Sequence, residues 1–212
     1  MKNRILLIIG LFFICLSVHS QDTIRIKHIN YVTVFSKSLK YPVLVEWWDT
    51  KSKDECPSKL PRSDKFQPDP YLKRYTDLES SYKGQHIDRG HMCPAASNEC
   101  SGEEVLIECF YFSNMAPQYH SLNAGDFKSV EVYTRNLAEK YDSVHVWAGS
   151  IGVAKVIGQV SVPTKCWKVI HIKKTNEWFG FLFNNTPDKP TGIDSHRVDV
   201  SEITKLTGFK FN

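Results

Sequence analysis

Apolar and polar positions divide the chain into short strands around one well-marked helix. Residues 22–36 are rich in β-branched and aromatic side chains (Ile24, Ile26, Ile29, Tyr31, Val32, Val34, Phe35) and predict one or two strands. After Pro42, the residues Val43, Val45 and Trp47 alternate with Leu44, Glu46 and Trp48, the period of a strand with at least one buried face. Residues 50–70 are polar and carry Pro57, Pro61, Pro68 and Pro70, which predicts an irregular, stiffened loop. The run 105–114 (Val105, Leu106, Ile107, Phe110, Tyr111, Phe112) is apolar and aromatic and predicts a mostly buried strand. Proline and glycine in 114–125 predict a loop. Phe127, Val130, Tyr133, Leu137 and Tyr141 then recur at helical spacing, so a helix is expected over 126–141. Further strands are predicted at 144–149, at 155–162 and 165–173 on either side of Pro163, and at 177–183. Residues 199–206 predict a short closing helix capped by Ser201. Many strands with one main helix place the chain in the α+β class, around a central antiparallel sheet.

The chain has 212 residues, 42% of them hydrophobic, which suits one domain with a real core. Residues 1–20 read as a secretory signal: Lys2 and Arg4 start it, 5–16 is a short apolar run, and Val18-His19-Ser20 precedes Gln21. The alternative is an uncleaved anchor, for which the apolar run is short. The expected mature domain is therefore 21–212, secreted or periplasmic, with no stable membrane span. Loss of Lys2 and Arg4 lowers the formal charge from +4 to +2, too little to argue for a polyanionic partner by itself.

Export also changes the meaning of the cysteines. Cys15 leaves with the leader, and Cys56, Cys93, Cys100, Cys109 and Cys166 remain. In an oxidising compartment this odd set predicts up to two disulfides and one spare thiol. No C-x-x-C pair supports a zinc site. A nucleophilic Cys93 near His91 is an alternative that the adjacent Pro94 and the secreted setting disfavour.

The most chemically loaded stretch is Asp88-Arg89-Gly90-His91. Imidazole is suited to take a proton near neutral pH, and guanidinium to grip a phosphate. The run reads as a proton acceptor beside a phosphate clamp, with Gly90 allowing a tight turn or a close approach. The competing reading is a polar turn in which Asp88 and Arg89 pair with each other. On the predicted helix, Glu131 and Arg135 are four apart and lie along the flank of the apolar face, which reads either as an ordinary surface ion pair of little worth or as a charged pair facing a site at the core's edge.

Three blocks in order give these residues a family context. They are Asp88-Arg89-Gly90-His91, then Ser113-Asn114-Met115-Ala116-Pro117-Gln118 running to Leu122-Asn123, then the helix with Glu131 and Arg135. Together they resemble the DNA/RNA non-specific endonuclease family, the ββα-metal nucleases that include secreted bacterial sugar-nonspecific nucleases and endonuclease G. Weaker matches are Arg62 with Phe66 and Asp69-Pro70, and Val162-Pro163 followed by Trp167-Lys168-Val169.

The resemblance implies a role for each matched position. His91 would be the general base that activates water. Asn123 would be the one protein ligand of a divalent ion, Mg²⁺ or another such as Mn²⁺, and Glu131 would hold a metal-bound water. Arg89 and Arg135 would contact phosphate, Asn114 would fix the site or the substrate, and Arg62 would serve both catalysis and substrate binding. The loop spacing around Arg62 departs from the family, and Phe127 stands where the family often has Trp. His86 and His120 match no family position. The implied partners are DNA and RNA, with the protein a monomer or homodimer. The chemistry is coherent on its own terms: phosphodiester hydrolysis needs a base for the attacking water and positive charge at the developing oxyanion. The competing function is a nucleic-acid-binding protein on a nuclease fold that does not cut. A disulfide-stabilised surface domain, in which Asn123 simply caps the helix, is a further alternative.

Overall fold

The computed structural model describes residues 22–61 and 64–212; the expected leader and the candidate Arg62 lie outside the described residues. The described strands, in chain order, begin with β1 (Thr23–Lys27), β2 (Tyr31–Ser36), β3 (Tyr41–Thr50), β4 (Asp88–His91) and β5 (Met115–Gln118). They continue with β6 (Ser143–Ile151), β7 (Lys155–Ile157), β8 (Val160–Val162), β9 (Lys165–Ile172), β10 (Glu177–Asn184) and β11 (Arg197–Val198). Seven of them form one antiparallel sheet in the order β1-β2-β3-β6-β9-β10-β11. This is the α+β architecture that the hydrophobic pattern predicts.

Strand alternation divides the sheet's side chains between two cores. Val45, Trp47, Val146, Ala148, Ile170, Phe181 and Phe183 face the long helix Phe127–Tyr141, which answers with Phe127, Val130 and Ala138. Leu44, Trp147, Trp167 and Val169 point the other way and pack on Ile203 of the closing helix Val200–Thr207. The most buried stripe of the long helix runs through Phe127, Val130, Thr134 and Ala138, while Tyr133, Leu137 and Tyr141 are only partly buried. The stripe is thus rotated slightly from the one that the largest apolar residues suggest.

Three local expectations are corrected. Residues 105–114 are not a strand: Glu103–Cys109 is a helix, followed by a 3₁₀ turn over Phe112–Asn114. Val105, Leu106 and Cys109 bury one side, and Glu103 and Glu104 sit in the first turn, where carboxylates complement the exposed N–H groups. Met115–Gln118 is a strand, not a loop, paired antiparallel with β4 and with Pro117 opposite Arg89. The Pro117 carbonyl accepts from Asn185 Nδ2 at 2.9 Å and so faces away from β4, where the missing N–H costs the pairing nothing. The closing helix is capped by Asp199, whose carboxylate accepts from the Ser201 N–H at 2.7 Å, and not by Ser201.

The cysteine expectation is also corrected. Among the described residues one disulfide, Cys56–Cys100, ties the proline-rich loop to the segment after β4. Cys93, Cys109 and Cys166 are buried thiols, three in place of one. Burial takes Cys93 out of consideration as a nucleophile and pushes the Cys166 thiol up to about 11.

Candidate active site

The site is built on the β4–β5 pair and on the start of the long helix. Gly90 lies within β4 and makes no turn. A side chain there would meet the buried Gln118, whose Oε1 would stand 2.0 Å from an added Cβ. The glycine is therefore required by the packing of the neighbouring strand.

Arg89 and His91, two apart on β4, share a face and meet the same ring. The Arg89 guanidinium stands 4.1 Å from the Phe66 ring centroid, and the His91 and Phe66 rings are 5.7 Å apart. His91 is 9% exposed and packs edge-on to Phe110 at 4.9 Å, so two aromatic walls fix the imidazole plane. Arg89 Nη1 donates to Glu79 Oε1 at 2.7 Å. Asp88 and Arg89 do not pair with each other, which removes the reading of this run as a self-paired polar turn.

Asp88 turns instead to the helix start. Its Oδ2 accepts from Asn123 Nδ2 at 2.8 Å and lies 2.8 Å from His120 Nδ1. Asn123 sits in a π-helical turn, Leu122–Asp126, directly before the long helix. A carboxylate can only accept, so the amide must present its N–H₂ to Asp88, and its oxygen is the end left for a cation. The Asp88–Asn123 bond thereby joins the helix start to the strand three residues ahead of His91, about 10 Å along β4 at the usual strand rise. Asp88, and His120 with it, went unassigned in the sequence reading, although Asp88 belongs to the motif itself.

Glu131 and Arg135 face the sheet from the helix flank, over a buried polar cluster. Lys168 of β9 is fully buried, with Nζ 3.8 Å from Glu131 Oε1. Asp49, at the end of β3, is also buried and accepts from Ser97 Oγ at 2.9 Å. Burial lowers the Lys168 ammonium from its ordinary value, against the opposing pull of Glu131. Burial raises Asp49, against Ser97 and the positive charges of Lys53, Arg135 and Lys168. Arg135 Nη1 is buried and makes no hydrogen bond among the described residues.

Asn114 is fully buried and its side chain is spent on backbone. Its Oδ1 accepts from the Cys93 N–H, and its Nδ2 donates to the carbonyls of Cys93 and Cys109, each at 2.9 Å. Of the two roles expected for it, fixing the site fits this geometry and binding substrate does not.

For an implied divalent ion the donor set fits in kind. A carboxamide oxygen oriented by a carboxylate is a hard ligand, and Mg²⁺ keeps several waters and needs few protein donors.

Comparison with known proteins gives the chain a family. A family model described as DNA/RNA non-specific endonuclease matches residues 16–212. The mitochondrial nuclease EXOG of Xenopus laevis is 30% identical over 168 residues, covering 69% of this chain and 47% of that protein. The nuclease of Serratia marcescens is 32% identical over 145 residues, covering 63% of this chain and 53% of that protein. The chain thus spans about half the length of the curated relatives it matches. A chain in a crystal structure of an EndoG/EndoGI complex shares the fold with a TM-score of 0.79 at 24% identity, over 88% of this chain and 84% of that one.

Proposed function

This chain belongs to the DNA/RNA non-specific endonuclease family, and we propose that it is a divalent-metal-dependent endonuclease. It hydrolyses phosphodiester bonds in DNA and RNA with little sequence preference, and its fold is a single nuclease domain over 21–212. The observation that carries this reading is the Asp88–Asn123 hydrogen bond at 2.8 Å. It ties the strand bearing Arg89 and His91 to the start of the helix bearing Glu131 and Arg135, which supports the reading that these groups and Asn123 act on one phosphate.

In this reading His91 takes the proton from the attacking water through its ring nitrogen, held in plane by Phe66 and Phe110. Arg89 and Arg135 bind the non-bridging phosphate oxygens, and the family resemblance assigns Arg62 the same partner. These are contacts to backbone, not to base edges, and so carry no sequence preference. Asn123 would hold the ion through its amide oxygen, and Glu131 would hold a water bound to it. When bound, Mg²⁺ or Mn²⁺ supplies Lewis acidity and positive charge for the leaving oxygen. Asn114 and Gln118 touch no substrate and keep the two strands in place.

A secreted or periplasmic location, after removal of residues 1–20, is supported by the Cys56–Cys100 disulfide, which persists in oxidising compartments. No helix among the described residues is long and apolar enough to cross a membrane. The test is metal removal: purified protein should cut plasmid and RNA, lose both activities in EDTA, and regain both with excess Mg²⁺ or Mn²⁺. Full cutting in EDTA would overturn the reading. Salt-sensitive binding without cleavage would favour a binding protein on a nuclease fold.

A further inference from the structure

Strand alternation exposes an anomaly on β9. Cys166, Ile170 and Ile172 point toward the long helix and lie in its apolar core. Lys168 occupies the same stripe and is just as buried. Its register neighbour Ala148 is small, which leaves room for a long side chain to cross the sheet. The ammonium stands 4.2 Å from the Phe127 ring centroid and 5.7 Å from that of Trp47, with Glu131 Oε1 at 3.8 Å. It makes no hydrogen bond among the described residues.

Stability does not explain such a lysine. An ammonium with no hydrogen bond is costly to bury, and a buried lysine–carboxylate pair is often no more stable than two apolar residues of similar volume in its place. The two ring faces return part of the cost by cation–π attraction, and Phe127 is the first residue of the long helix. What the charge does contribute is a fixed positive point beneath one edge of the site. The carboxylate nearest to it is the one expected to order water around the ion.

We propose that Lys168 is a positioning residue for Glu131, holding its carboxylate in place at the site edge from beneath the long helix. The proposal rests on the role given to Glu131 above. The Phe127 and Trp47 rings confine the ammonium, so Glu131 is oriented by a charge that cannot swing away into solvent.

The test is Lys168→Met, close in length and apolar, with metal binding measured directly by Mn²⁺ electron paramagnetic resonance in the absence of nucleic acid. The expected result is metal affinity weakened about ten-fold or more, the usual effect of losing an outer support, in a variant that urea denaturation shows to be folded. Lys168→Met should add nothing further in a Glu131→Gln background. A lower urea midpoint with unchanged metal binding would make Lys168 purely structural and overturn the proposal. If the single variant does not fold, the double variant Lys168→Met/Glu131→Gln decides. Its folding supports the pairing, and its failure assigns Lys168 to the core alone. Asn123→Ala is the control: normal metal binding there would overturn the assignment of the site itself, whatever Lys168→Met does.

Discussion

The side-chain amide of Asn123 donates to the carboxylate of Asp88 at 2.8 Å, across a sequence separation of 35 residues. The bond fixes which end of the carboxamide is an acceptor for a cation, and it sets the helix start against the motif strand. Asp88→Ala should release both constraints. The expected outcome is a loss of about 10–100-fold in metal affinity or activity, as for other outer supports of a metal ligand. A Mg²⁺ titration of the cleavage rate checks it, with the half-saturation point moving to higher metal.

Asn114 should matter for folding more than for substrate binding. Asn114→Ala strands the Cys93 N–H and the carbonyls of Cys93 and Cys109 in a buried setting. The expected cost is on the order of 3 kcal/mol or more, from groups that each lose a partner. Urea denaturation measures it. A raised KM with unchanged stability would instead make Asn114 a substrate contact.

The Cys56–Cys100 bridge closes a loop with a sequence separation of 44 residues. In the chain-entropy description, opening such a loop costs about 4 kcal/mol. Cys56→Ser/Cys100→Ser should therefore melt well below the parent, and adding reductant to the parent should reproduce the shift. A melting temperature indifferent to reductant would contradict the bridge.

Asp126 predicts an acid limb of stability. Burial raises its carboxyl, but hydrogen bonds from the Thr191 N–H, His196 and the Gly192 N–H outweigh burial and hold it below the usual range. A lowered folded-state value gives stability that is present above the unfolded value, about 3.9, and is lost as pH falls through the folded one. Asp126→Asn should be less stable than the parent near neutrality and should show a shallower acid limb. Unfolding midpoints measured from about pH 6 downward test this.

The sequence shows the strands of the main sheet because their alternation is local and the sheet buries both faces. It misreads 105–114 because a short apolar run fits a buried strand or a buried helix equally well. There the choice is made by Glu103 and Glu104 in the first turn and by the packing of Leu106, Cys109 and Phe110. Strand β5 has no period of its own: Met115–Gln118 becomes a strand only by pairing with β4, a non-local event. Among the candidate site residues, His91, Asn123, Glu131 and Arg135 are named by motif order. The bond between Asp88 and Asn123 spans 35 residues, and Lys168 is hidden inside an apolar strand pattern. No local rule shows either the pairing of Asp88 or the burial of Lys168.

The most direct measurement of the central claim is cleavage of supercoiled plasmid and of RNA by the purified protein and by His91→Ala, in Mg²⁺. The account predicts that His91→Ala is folded, binds metal like the parent, and cuts both substrates at least about 100-fold more slowly, the scale of a lost general base. Cleavage by His91→Ala at the parent's rate would contradict it.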